Sequence, residues 1–205
     1  AGLVAAVFSV VIGIPALRLR GDYLAIITLG FGEIIRVVAN NLDFIGGAQG
    51  LSGIPSPDKL TLFLYSSVLV ILAVFLMFTF GRSRHGRAVI SIREDEIAAE
   101  SSGVNTTYYK LMAFVLAAFL AGIAGGLYAH HVGMVDPSKY DFNRSVEFLI
   151  MVVLGGMGSI TGSIISATVL TILPQMLTDF DRYRMLIYSI ILIVVMLFRP
   201  TGLLG

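Results

Sequence analysis

The chain has 205 residues, 57% of them hydrophobic and only 13% charged, with a mean hydropathy of +0.90. Soluble domains carry about 25% charged residues, so the composition excludes a water-soluble globular enzyme, a disordered tail and a nucleic-acid binder, and points to an integral membrane protein. The 14 Lys and Arg nearly cancel the 13 Asp and Glu, so the net charge of +1 singles out no partner, and the lack of cysteine removes disulfide and thiolate chemistry.

A span needs roughly 20 mostly apolar residues, because a helix rises about 1.5 Å per residue through a hydrocarbon core of about 30 Å. Residues 1–17 form a short apolar run with no basic leader before it, which reads as a helix entered part-way rather than a signal peptide, so the chain is expected to be a fragment lacking N-terminal spans. Residues 22–39 form the next run and carry Glu33 and Arg36, three apart on one helical face and able to pair. Charges inside a membrane face protein or water and are functional by default, so the pair serves either as a helix lock or as part of a pathway.

The following loop contains Gly46, Gly47, Gln49 and Gly50 in a stretch too rich in Gly and Pro for a regular helix. It reads either as an ordinary outer turn or, from its length and its apolar residues Phe44, Ile45, Leu51 and Ile54, as a segment folded back onto the outer mouth as a gate or docking surface. Residues 60–80 are the cleanest span, 21 residues without a charge.

Residues 81–110 hold Arg82, Arg84, Arg87, Arg93 and Lys110, the densest positive cluster, which the positive-inside tendency assigns to the cytoplasm. Within them 91–105 read as one short amphipathic helix. Ser91 and Glu94 have capping-box spacing, Glu94, Asp95 and Glu96 suit the positive end of the dipole, Gly103 supplies the stop, and Asn105 or Thr106 caps the next helix.

Residues 111–132 form another span, ending at His130 and His131, which point about 100° apart on a helix and so make no metal site by themselves. Loop 133–147 is then outside. Residues 148–177 are too long for one span and too short for two, with Gly155, Gly156, Gly158 and Gly162 in the middle, so a re-entrant or broken hairpin of two short helices is expected. The glycines lack the lysine of a phosphate loop. They serve helix contact, or expose N–H groups beside Ser159 to a substrate carboxylate. A last run, 185–198, completes an all-α, polytopic membrane bundle. The hairpin topology places Arg18, Arg20, Arg82, Arg84, Arg87, Arg93, Lys110 and Arg199 inside and Lys59, Lys139, Arg144, Arg182 and Arg184 outside.

The segments LRLRGDYLAIITLGFGEIIRVVANN, GGAQGLSGIP, GRAVISIREDEIAAESSGVN, YKLMAFVLAAFLAGIAGGLYAH, FLIMVVLGGMGSITG and FRPTGLLG together resemble the branched-chain amino-acid permeases of ATP-binding-cassette importers, the LivM-like family, in order and over nearly the whole chain. The resemblance implies one permease domain over 1–205, with 81–110 as a coupling loop whose short helix seats on a cytoplasmic ATPase. Ala98 and Ala99 would allow close approach and Arg93, Glu94, Asp95 and Glu96 would form the rim, with Gly103 closing the motif. The family's loop Glu is displaced here to Glu96.

The resemblance further implies two ATPase subunits, a second homologous permease and an external solute-binding protein as partners in a cell inner membrane, with no catalytic residue, metal or cofactor in this chain. Urea and short-amide importers belong to the same family resemblance and are an alternative. A stand-alone secondary transporter or channel is a second alternative, weakened because Glu33 is the only carboxylate expected deep in the membrane, and a membrane enzyme lacks a catalytic constellation.

Overall fold

The computed structural model describes residues 1–19, 22–42 and 46–176, and the chain divides into two compact units, 1–141 and 142–205. Arg20, residues 43–45, the loop 178–184, the expected last span 185–198 and the tail at Arg199 lie outside the described residues.

In the first unit the helices are α1 (Gly2–Ala16), α2 (Asp22–Asn41), α3 (Lys59–Arg82), α4 (Arg84–Glu94), α5 (Glu96–Ser101) and α6 (Thr106–Val132). With 24 and 27 residues, α3 and α6 are about 36 and 40 Å long, enough to cross a hydrocarbon core of about 30 Å. None of the residues in their most apolar windows is fully buried within the chain, so much of α3 and the part of α6 not packed on α1 are left for lipid or for another apolar surface. The expected spans 60–80 and 111–132 are therefore present, extended at their polar ends by Lys59, Arg82 and the turn that starts at Thr106.

Helices α1 and α6 pack antiparallel, with Gly2 against Phe119 and Ile123 and Gly13 against Leu111 and Phe114. A Cβ at Gly122 would come 2.6 Å from Ala5 Cβ and 3.0 Å from Gly2 Cα. Only glycine lets the two backbones meet there, which is how helices gain van der Waals contact where lipid offers no hydrophobic drive.

Helices α4 and α5 connect α3 to α6 at one end of the unit. At the other end, the strand β1 (Leu51–Ser52) before α3 pairs antiparallel with β2 (Met134–Val135) after α6, Leu51 opposite Val135 and Ser52 opposite Met134. This two-residue ladder is the only sheet among the described residues, in keeping with the all-α expectation. Because α1 is antiparallel to α6, Arg18 joins Arg82, Arg84, Arg87, Arg93 and Lys110 at the α4–α5 end, while Lys59 and Lys139 stand at the strand end.

The second unit holds α7 (Phe142–Gly155) and α8 (Ile160–Met176), joined through Gly156 at φ 105° and Gly158 at φ 100°. Positive φ is costly for residues with a Cβ, which explains the glycines at the break. A Cβ at Gly155 would lie 2.5 Å from the Gly162 carbonyl carbon. Ser166 is fully buried, and its hydroxyl donates to the Met151 carbonyl and, at 3.1 Å, to that of Ser163. The pairings 155 with 162 and 151 with 166 share one antiparallel register, so the apolar stretch is a broken helical hairpin as expected. Its first helix begins at Phe142 rather than at 148, shortening the expected outer loop. The Arg144–Glu147 pair at 2.6 Å bridges one helical turn and supports this polar start.

Gly162→Val is expected to destabilise the hairpin by about 1–3 kcal/mol through forced backbone separation, read as a lower Tm in detergent. Gly30→Ala, at a site with nothing within 4 Å, should leave the Tm unchanged or slightly raised.

Candidate functional site

The α4–α5 segment is built from short polar contacts. Ser83 ends α3 and caps α4, its hydroxyl donating to the Phe80 carbonyl at 2.6 Å and accepting from the Gly86 amide at 3.0 Å. Gly86 is buried in this turn, where a Cβ would stand 2.8 Å from Gly81 Cα. On the α6 side, the His85 ring lies 5.9 Å from that of Tyr109, and Ile92 is buried. The segment therefore rests on the base of α6.

A single helix over 91–105 is not what forms. The backbone breaks at Asp95 (φ −154°, ψ 110°), and Asp95 Oδ1 accepts from the amides of Ile97 at 2.8 Å and Ala98 at 3.0 Å, starting a second helix. Ser91 does not form the expected capping box, because its hydroxyl donates back to the Ala88 carbonyl at 2.9 Å. The physical reason is the dipole. An unbroken helix would leave consecutive acids far from a positive end, whereas a new start at Asp95 places Asp95 and Glu96 at one.

The stop at Gly103 is as expected, at φ 85°. Val104 N donates to Ala99 O at 3.0 Å and Gly103 N to Glu100 O at 2.9 Å, a Schellman closure. Of the two candidate caps for α6, Asn105 is used, accepting from Tyr108 N at 3.1 Å.

The expected rim residues divide. Arg93 and Glu94 pair with each other at 2.5 Å and are exposed. Asp95 is committed to the cap. Glu96 pairs with Lys110 at 2.6 Å, with side chains 26% and 20% exposed, tying α5 to α6. Ala98 is exposed but Ala99 is buried in its own chain, so only Ala98 offers the close approach expected of both. Sequence reasoning missed Ile97, which is 69% exposed. Its position, two residues and so about 200° from Ala99 on the helix, was the available signal.

At the strand end, Gly46 (φ 87°) and Gly47 (φ 53°) lead through a 3-10 turn, Gly47–Gln49, to Gly50 (φ 72°). A Cβ at Gly50 would lie 3.0 Å from Asp136 Cα, so this loop is pressed onto the other one rather than free, while Gln49 is exposed. Ile54 N donates to Gly133 O at 3.2 Å, and His130 Nδ1 lies 2.8 Å from the Pro55 carbonyl. Asn40, which the sequence did not single out, has a buried Oδ1 with no hydrogen-bond partner among the described residues. Partial burial, with a smaller effect from Tyr128, raises the pKa of the Tyr140 phenol.

Glu33 Oε2 accepts from Arg36 Nε at 2.8 Å and Nη2 at 2.7 Å. The pair closes on its own helix, and Glu33, 40% exposed, is less enclosed within this chain than expected. At the α7–α8 break, Ser159 Oγ accepts from Gly162 N at 3.1 Å and Gly156 N donates to Val152 O at 3.1 Å. The chain thus satisfies part of the polar backbone at Gly155, Gly156, Gly158 and Ser159 by itself.

A family model described as branched-chain amino acid transport system, permease component, matches residues 1–196. The high-affinity branched-chain amino acid transport system permease proteins LivM of Salmonella typhimurium and of Escherichia coli are each 39% identical over 236 residues, covering 100% of this chain and 56% of theirs. The permease protein LivH of Escherichia coli is 33% identical over 141 residues, 67% of this chain and 46% of that protein. The chain spans about half the length of the curated relatives it matches. No solved structure matches it.

Asp95→Ala is expected to cost about 1 kcal/mol of local stability, seen as faster hydrogen exchange at the Ile97 and Ala98 amides. A double-mutant cycle with Glu96→Gln and Lys110→Met should return a coupling of about 0.2–1 kcal/mol in thermal unfolding.

Proposed function

This chain belongs to the family of branched-chain amino acid transport permease components, and on that premise we propose that it is the membrane permease subunit of an ATP-driven importer of branched-chain or related amino acids. It performs no bond chemistry in this reading. Its work is to provide half of a pathway and to switch that pathway's access between the two faces of the membrane.

The observation that carries the reading is the capped elbow at Asp95. It presents Ile97 and Ala98 outward on a helix that Glu96–Lys110 and the buried Ala99 hold against α6. Such an element suits a groove on a cytoplasmic ATPase. Six basic residues gather at its end of the unit against two at the strand end, which favours the cytoplasmic side for the elbow. ATPase closure would displace the elbow, and the Glu96–Lys110 link would pass that displacement to α6. At the far end, α6 leads into the paired loops at 51–55 and 133–136, where an external solute-binding protein would deliver substrate. The switch is then a two-state rearrangement biased by differential contacts.

A second homologous permease would complete the pathway, and the similarity of this chain to both LivM and LivH of one organism supports such a pairing. Glu33, Arg36 and the α7–α8 break are the candidates for lining or gating it. Backbone N–H groups at the break would suit an amino-acid carboxylate, and the apolar helix faces would suit branched side chains.

The test is uptake by the full-length protein, reconstituted with its ATPases, of labelled leucine, isoleucine, valine and urea, with and without ATP. Uptake of the amino acids that requires ATP supports the proposal, urea uptake alone moves the chain to the amide importers, and uptake without nucleotide overturns an ATP-driven role. Ile97→Asp should lower ATP-driven uptake at least about tenfold, the scale of losing one central interface anchor, together with loss of ATPase co-purification and with helical circular dichroism unchanged. Since the chain has no cysteine, single cysteines at 97 and 138 should label from opposite faces of the membrane.

A further inference from the structure

A groove of about 750 Å³ runs between α3 and α6, floored by Leu69, Ala73 and Leu76 on one helix and Leu120, Ala124 and Leu127 on the other. Its lining is apolar apart from Thr79 and Ser83 at the α4 end. From Leu69 to Ser83 it follows α3 for about 21 Å at 1.5 Å per residue, more than one leaflet's share, about 15 Å, of a hydrocarbon core of about 30 Å. A slot of this depth and chemistry accommodates an acyl chain lying along the membrane normal.

The groove's polar end is also the positive end. Ser83 lies between Arg82 and Arg84, and Arg87 follows one turn later with no acidic residue between 59 and 93. All three arginines are exposed. None of the three lines the groove itself: the Arg82 guanidinium stands 4.1 Å over the Phe78 ring, outside the lining, and Arg87 Nη1 donates to the Arg82 carbonyl at 3.0 Å, so they flank the mouth at Ser83. Among the described residues no carboxylate pairs with Arg82, Arg84 or Arg87, whereas Arg36, Arg93, Lys110 and Arg144 each have one. Cations clustered at the end of an apolar slot between spanning helices, at headgroup depth, match an anionic lipid headgroup.

We propose that the α3–α6 groove is a binding site for an anionic phospholipid, its acyl chains lying between Leu69–Leu76 and Leu120–Leu127 and its phosphate at the mouth by Ser83, in the positive field of the flanking Arg82, Arg84 and Arg87. The occupant is structural or regulatory and is separate from transported substrate. By holding α3 against α6 beside the elbow, it makes the stability of this region depend on lipid charge.

The test uses the full-length protein in nanodiscs of phosphatidylcholine with phosphatidylglycerol, followed by native mass spectrometry of retained lipid. Wild type should retain phosphatidylglycerol at least about tenfold over its share of the bilayer, as expected where several surface cations face an anionic headgroup. The triple variant R82Q/R84Q/R87Q should retain both lipids in proportion to the bilayer, and R82K/R84K/R87K should keep the preference, which separates charge from folding. Ala124→Phe, filling the groove floor, should reduce retention of both lipids while helical circular dichroism stays native. Equal retention by wild type, or a preference that survives the glutamine variant or the filled groove, overturns the proposal. So does loss of ATPase co-purification in the glutamine variant with lipid retention unchanged, which would make the arginines a protein contact instead.

Discussion

Hydrocarbon removes the usual reason for helices to associate, because a leucine is as well solvated by lipid tails as by another helix. What remains is close approach of backbones, and in each unit of this protein it is bought with glycine. In the first unit Gly2, Gly13 and Gly122 let α1 and α6 touch; in the second, Gly155 and Gly162 do the same for α7 and α8. Ser166 adds a hydrogen bond to a carbonyl of the facing helix, where no water competes. Many large apolar side chains of α3 stay on the outside, and those of α6 are nowhere fully buried, the reverse of a soluble domain.

Apart from the Glu33–Arg36 pair on α2, polar chemistry in the first unit is concentrated at its ends, and the two ends are built differently. At one end, side chains act as caps and ties: Ser83, Asp95 and Asn105 start helices, and Glu96–Lys110 fastens α5 to α6. At the other, backbone does the work, through the β1–β2 ladder, the Ile54–Gly133 bond and the Pro55 carbonyl facing His130. Helix α6 is the continuous member between them, so a displacement at the elbow has a stiff path to the paired loops. Because α6 also forms one wall of the apolar groove, the same helix touches the elbow, the groove and the paired loops.

Much of this was legible in the sequence because spans are long and their signal is additive over many residues. The Glu33–Arg36 pair followed from helical spacing, and the broken hairpin from four glycines in an apolar stretch. What escaped was local competition and tertiary pairing. Ser91 and Asp95 both qualify as caps, and spacing alone cannot show that the backbone would break at Asp95 and turn Ser91 toward Ala88. Likewise the fold-back of the Gly-rich loop was visible, but its partner, 84 residues away at the Leu51–Val135 pairing, was not, since a two-residue ladder leaves no periodic pattern. The burial of Ala99 against exposure of Ala98 required knowing which face of a six-residue helix meets α6.

The elbow's closure at both ends has a further consequence for recognition. With Asp95 fixing its first amides and Gly103 and Val104 returning hydrogen bonds to its last carbonyls, the short helix is already folded before anything docks on it. A flexible linker would have to surrender conformational freedom on docking, which drains the energy that contact supplies. Here that loss is taken during folding, so in the proposed docking a footprint of only a few side chains would suffice to hold a partner and still release it.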